Sequence, residues 1–128
     1  MKLLLDTHAF IWSFDEPEKL SPKALALLAD DDNELVISVA SVWEIQIKIQ
    51  LGRLKFTLPL RELIESQKQT NGIQVLPVAL NHVLALDTLP ALHKDPFDRL
   101  LVAQANVEGA FIVSRDPMFS GYPVKVVW

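Results

Sequence analysis

Short apolar runs recur along the chain, and most of them stop at a turn or an acid. The first is Lys2–Leu5, which ends abruptly at Asp6. A continuous apolar run of this length suits a strand buried on both faces, as in a parallel sheet. The same reasoning places strands at Glu34–Ser38 and at residues 73–76, 110–113 and 124–127. Between them the pattern becomes helical. Residues 7–14 carry apolar Ala9, Phe10, Ile11, Trp12 and Phe14. Ser21 and Pro22 open a second helix as N-cap and first residue, continued by residues 23–29 up to the acidic loop Asp30-Asp31-Asp32-Asn33. That loop reads as solvated turn, because a calcium loop needs a glycine and a distal glutamate. Residues 61–69 form a helix stopped by Asn71-Gly72, and residues 79–87 another, with Val83, Leu84 and Leu86 as its apolar content. A late helix begins at Asp95-Pro96-Phe97-Asp98, with Asp95 as N-cap and Asp98 at the capping-box position. Phe97, Leu100, Leu101 and Ala105 then line one face.

Residues 41–52 carry conflicting signals. From Trp43 to Leu51 apolar and polar residues alternate strictly, which is a strand pattern. Against this, Ser41 and Glu44 have capping-box spacing, Glu44 and Lys48 form an i,i+4 pair, and Gly52 is a good stop. Val42, Ile45 and Ile49 make one helical stripe, and Trp43, Ile47 and Leu51 a second. A helix buried on two flanks uses both, and the segment is assigned as helix. Strands separated by helices then imply a single domain over residues 1–128, an α/β fold with a parallel sheet and helices on both faces.

Composition narrows the function. The chain has 128 residues, half of them apolar and 22% charged, which is globular rather than disordered. No apolar run approaches a membrane span, and Asp6 and His8 interrupt the leucines that follow Lys2 before they resemble a signal peptide. Cysteine is absent, so neither a disulfide scaffold nor a thiolate metal site is expected, and the cytoplasm is the default location. A net charge of −4 argues against gripping nucleic acid by bulk charge alone.

Four acids stand where elements begin or end: Asp6, Glu44, Asp98 and Asp116. In a parallel sheet, β–α junctions share one side, which is where ligands bind. Clustered carboxylates repel one another unless a divalent cation neutralises them, and all-oxygen ligation suits Mg²⁺ or Mn²⁺. Such a site suits metal-assisted phosphodiester hydrolysis. Each acid also has a local explanation: Asp6 as a helix cap, Glu44 as partner of Lys48, Asp98 facing a helix dipole, Asp116 in a turn. Asp95 reads as the N-cap rather than a ligand. His8, His82 and His93 are too scattered for a ligand set, and Trp12, Trp43 and Trp128 read as core or interface before base-stacking platforms. No nucleophile elbow, phosphate-binding loop, dinucleotide fingerprint or zinc-protease motif occurs.

The order and content of these motifs resemble PIN-domain ribonucleases, in particular the VapC-type toxins of toxin–antitoxin pairs. The resemblance rests on Leu5-Asp6-Thr7-His8, on Ser41-Val42-Trp43-Glu44-Ile45 with Lys48 and Gly52, on residues 93–105 around Asp95-Pro96-Phe97-Asp98-Arg99, and on Val113-Ser114-Arg115-Asp116. It implies a three-layer α/β/α sandwich and Mg²⁺- or Mn²⁺-dependent endoribonuclease activity. Asp6 and Asp98 would be the principal metal ligands, with Glu44 and Asp116 acting directly or through water. Thr7, Lys48, Lys94, Arg99, Ser114 and Arg115 are the candidates for substrate contact. A homodimer and a VapB-like antitoxin that blocks the acids with an arginine or lysine are further implied. Two alternatives stand beside this: a catalytically silent module on the same fold, and an aspartate-dependent phosphatase, for which His8 stands where a second Asp is wanted.

Overall fold

A computed structural model describes residues 1–92 and 95–128. Five strands form one wholly parallel sheet in the order β3-β2-β1-β4-β5. They are β1 (Lys2–Leu5), β2 (Glu34–Ser38), β3 (Gln74–Leu76), β4 (Phe111–Val113) and β5 (Val126–Val127). The helices among the described residues are α1 (Thr7–Asp15), α2 (Pro22–Ala29), α3 (Val39–Gln50), α4 (Leu60–Asn71), α5 (Leu80–Leu84) and α6 (Pro96–Glu108). Short 3₁₀ turns at Pro17–Lys19, Ala85–Thr88 and Pro117–Gly121 complete the chain.

The period-2 geometry of a strand sends neighbouring side chains to opposite faces. On one face Leu3, Leu5, Leu35, Ile37 and Val113 pack with Phe10 of α1, Ala24 of α2 and Ile45 of α3. On the other, Leu4, Val36 and Ile112 pack with Leu101, Val102 and Ala105 of α6 and with Phe119. The result is the expected three-layer α/β/α sandwich. Each fully buried large side chain contributes about 1.5–3 kcal/mol relative to exposure. Register then fixes the site edge. Leu5 is level with Ile37 on one side and with Val113 on the other. Asp6, Ser38 and Ser114, one residue further on, therefore leave the sheet together.

Several local expectations change. The helix N-cap after β2 is Ser38, whose Oγ accepts from the Ala40 N–H at 3.0 Å, not Ser41. Strand β2 runs into α3 without a loop, so Ser41 is buried inside the helix and Glu44 sits in its second turn. The segment is nevertheless helical, and it stops at Gly52, whose φ of 72° suits the left-handed turn after a helix. Of its two stripes, Val42, Ile45 and Ile49 face the core. The second is not buried: Trp43 is 62% and Leu51 60% exposed. The expected helix at 79–87 is α5 followed by a 3₁₀ turn, and its Val83 and Leu84 face solvent while His82 is the buried residue. On α6, Leu101 and Ala105 enter the core with Val102, while Phe97 and Leu100 line an apolar groove with Val39 and Trp43.

Candidate active site

Asp6 ends β1 and begins α1. Its Oδ1 accepts from the Ala9 N–H at 2.7 Å, so the capping role is real. It is also only 8% exposed. A cap normally sits in water, and this one is held under the carboxyl edge of the sheet. Burial pushes the Asp6 carboxyl up from its ordinary value, and the charge of Asp116 pushes it further. The Ser114 hydroxyl, the Ala9 N–H and His8 pull the other way without cancelling the shift.

Ser114 follows β4 and is buried. It hydrogen-bonds Asp6, and its Oγ accepts from the Asp116 N–H at 3.0 Å. One serine therefore ties the buried acid to the exposed one. Asp116 caps the next turn through the Met118 N–H at 3.0 Å. Its local turn role and its position beside Asp6 are both present.

Glu44 reaches the site from α3. The Thr7 hydroxyl donates to Glu44 Oε1 at 2.5 Å. Thr7 is buried next to Asp6, so the bond anchors the glutamate beside that acid. Lys48 lies 3.9 Å from Glu44 Oε2, one helical turn on. Asp98 stands in the first turn of α6, behind the Asp95 cap that accepts from the Phe97 and Asp98 N–H groups. An edge-on contact between Trp43 and Phe97, with ring centroids 5.2 Å apart, holds the helices carrying Glu44 and Asp98 side by side. Among the described residues, no three carboxylates or imidazoles stand close enough to grip a metal ion without moving. Asp6 and Asp116 interact electrostatically, and Glu44 is bonded to Thr7, the residue that follows Asp6.

The candidate substrate contacts divide. Thr7, Ser114 and Arg115 lie at the acids. Lys48 pairs with Glu44, and Arg99 Nη1 donates to the Pro90 carbonyl at 3.0 Å. Lys94, like His93 in the motif, lies outside the described residues. Two features escaped the sequence. The Thr7–Glu44 bond spans two elements and leaves no local trace. Trp12 carries His8 on its ring and Arg115 over it, of which only the four-residue spacing of His8 and Trp12 is readable in the sequence.

The PIN domain family matches residues 3–125, and the chain belongs to that family. Ribonuclease VapC22 of Mycobacterium tuberculosis is 28% identical over 116 residues, covering 89% of this chain and 86% of that protein. Among solved structures, VapBC2 from Rickettsia felis bound to a promoter DNA fragment superposes with a TM-score of 0.74 at 17% identity, over 99% of this chain and 98% of that one. VapBC-1 from nontypeable Haemophilus influenzae gives 0.69 at 17% identity, over 99% and 97%. These structural likenesses carry the fold. No helix among the described residues is long and apolar enough to cross a membrane.

Proposed function

We propose that this chain is a Mg²⁺- or Mn²⁺-dependent endoribonuclease acting in the cytoplasm as the toxin of a toxin–antitoxin pair. The observation that carries the proposal is the buried carboxyl of Asp6, pushed up by desolvation and by Asp116, in a chain of the PIN family. A divalent cation reverses both penalties at once. The carboxylates and hydroxyls near Asp6 offer oxygen donors, which fits a hard cation. Asp6 and Asp98 would hold it, with Glu44 and Asp116 ligating directly or through water. An ion held by these residues would lower the pKa of a bound water and neutralise charge at the leaving oxygen.

The chain's own groups do the positioning. Thr7 fixes one oxygen of Glu44, leaving the other toward Lys48. Ser114 holds Asp6 and Asp116 in register. Arg115, Lys48, Lys94 and Arg99 are the cations that would steady substrate phosphates. The relative named Ribonuclease VapC22 supports RNA as substrate. Neighbours solved as VapBC complexes support a VapB-like antitoxin, and the acidic mouth would pair well with an inserted arginine or lysine. A homodimer is supported by the apolar groove of Val39, Trp43, Val78, Phe97 and Leu100, in which Trp43 is largely exposed. Patches of this kind mark interfaces.

The test is cleavage of total cellular RNA by the purified chain in Mn²⁺ or Mg²⁺, beside EDTA and Asp6→Asn controls. Discrete fragments that vanish in both controls support the nuclease; fragments that persist in both reject it. The open arrangement of the acids favours a second reading, a catalytically silent module. That module shows no Mn²⁺ binding that depends on Asp6. The phosphatase alternative loses ground because His8, at the position where it wants an acid, is stacked on Trp12.

A further inference from the structure

We propose that His8, Trp12 and Arg115 form a stacking platform that seats one base of single-stranded RNA beside the scissile phosphate. The inference rests on the ribonuclease reading above and names the form of substrate that site takes. A cavity of about 360 Å³ opens next to the acids, lined by Asp6, His8, Trp12, Arg115, Asp116 and Pro117. It shares two carboxylates with the candidate active site. Its other wall is a layered stack of flat groups. The His8 ring lies 5.6 Å from the Trp12 ring at 25°, near parallel, because the two residues are one helical turn apart on α1. The Arg115 guanidinium lies over the same indole at 4.5 Å. Trp128 meets Trp12 edge-on at 6.1 Å and holds the indole upright from the far end of the chain.

The stack is built at the surface. His8 and Arg115 are both exposed, and Trp12 is half-buried. Arg115 shares the cavity with Asp6 and Asp116, yet among the described residues it makes no ion pair with either. Its orientation is set by the ring, and its N–H groups remain available to a phosphate. Lys19, 5.7 Å from the Trp12 centroid, is paired with Glu16, which leaves Arg115 as the cation offered to a phosphate. A flat apolar-faced group with a guanidinium over it, opening on acids that would hold a divalent cation, matches a nucleotide: the base stacks and its phosphate meets Arg115. Stacking of this kind needs an unpaired base, because duplex bases have their faces covered. It is tolerant of sequence, since every base has a π-face.

The experiment measures binding of a short fluorescein-labelled single-stranded RNA, and of the same ribose–phosphate chain lacking its bases, by fluorescence anisotropy. The proteins are the wild type, His8→Ala, Arg115→Gln and Trp12→Leu, each first checked for an unchanged circular dichroism spectrum. His8 and Arg115 are exposed, so those two variants keep the question open to a decision if Trp12→Leu fails to fold. Loss of one base stack is worth roughly tenfold in affinity. The expected result is such a loss for His8→Ala with the normal RNA and no loss with the abasic chain, while Trp12→Leu, which also removes the support of Arg115, loses clearly more on the normal RNA than on the abasic chain. Arg115→Gln is expected to weaken both. Equal losses on both ligands for His8→Ala and Trp12→Leu, or no loss on either, overturn the platform. Base-dependent binding without any carboxylate-dependent cleavage overturns the nuclease while leaving the platform standing.

Discussion

The clearest stability prediction lies at the end of the sheet opposite the acids. His82 is 2% exposed, and its ring is engaged on every side. The Ala79 N–H donates to Nδ1 at 3.0 Å, so the ring proton sits on Nε2, which faces Glu108 Oε2 at 3.0 Å. The Gln104 amide nitrogen lies 3.4 Å from Nδ1 and also donates to the Pro77 carbonyl. Glu108 in turn pairs with Lys2 at 3.2 Å, at the start of β1. Replacing His82 by leucine keeps much of the volume and removes these bonds. One neutral bond is worth about 1 kcal/mol and one to a charged group about 1.5–3, so the loss is roughly 3 kcal/mol. That is a large share of the ~5–15 kcal/mol that holds a domain together, and it corresponds to a fall in Tm of about 10 °C. Thermal unfolding followed by circular dichroism near neutral pH measures it. The pH dependence provides a second arm. His82 first, then Lys2, holds the Glu108 carboxyl below its ordinary value. Its contribution is therefore present above the ordinary carboxyl value and lost as pH falls through the depressed folded one. The group is partly exposed, so solvent screening reduces its share. The acid-side loss should be smaller in His82→Leu than in the wild type. A fall of less than about 1 kcal/mol, or an unchanged acid limb, would mean that the His82 bonds do not stabilise the fold.

Three further outcomes follow from the site and its surroundings. Asp6 has a raised folded value, so its favourable contribution exists below the ordinary carboxyl value and is lost as pH rises through the folded one. Asp6→Asn keeps the helix cap and removes the buried charge. In EDTA at neutral pH its Tm should exceed that of the wild type, with the gap closing in acid. Mn²⁺ at a hundredfold excess over Kd should stabilise the wild type by about 2.7 kcal/mol and the variant hardly at all, as scanning calorimetry would show. Thr7→Val removes the bond that fixes Glu44 and should lower kcat for RNA cleavage about tenfold without changing Tm by more than a few degrees. An unchanged kcat would remove Thr7 from the positioning role. Trp43→Lys places a charge in the apolar groove between α3 and α6 and should shift sedimentation toward the monomer; an unchanged mass would reject that face as the dimer contact.

How far the sequence reaches depends on the range of the interaction. Lys2–Leu5 and Glu34–Ser38 are read with correct limits because a buried parallel strand needs an uninterrupted apolar run. Ser21, Asp95 and Gly72 are read correctly because capping is local chemistry. The α3 cap is misassigned because Ser38 and Ser41 are both competent, and only the strand running directly into the helix selects Ser38. The exposed Trp43–Leu51 stripe and the exposed Val83 and Leu84 are invisible to periodicity, which identifies an apolar face but not whether this chain covers it. In the site, Asp6 and Asp116 lie near each other because register levels the ends of β1 and β4, whereas the expected convergence of all four acids is not seen as one cluster among the described residues, and Ser114 is legible only through the family resemblance. The Thr7–Glu44 bond, the Arg115–Trp12 contact and the Lys2–Glu108 pair join residues far apart in sequence, and no local pattern encodes them.

We propose that Asp6 and Asp98 work as one unit in a metal-dependent cleavage site. The most direct measurement is the rate of RNA cleavage in Mn²⁺ by the wild type, Asp6→Asn, Asp98→Asn and the double variant. Groups that act as a unit are strongly non-additive, so each single change should cost about as much as the pair, on the order of a hundredfold or more. Independent losses that add in the double variant, or a single variant that keeps the wild-type rate, would show that the two acids do not share one metal site.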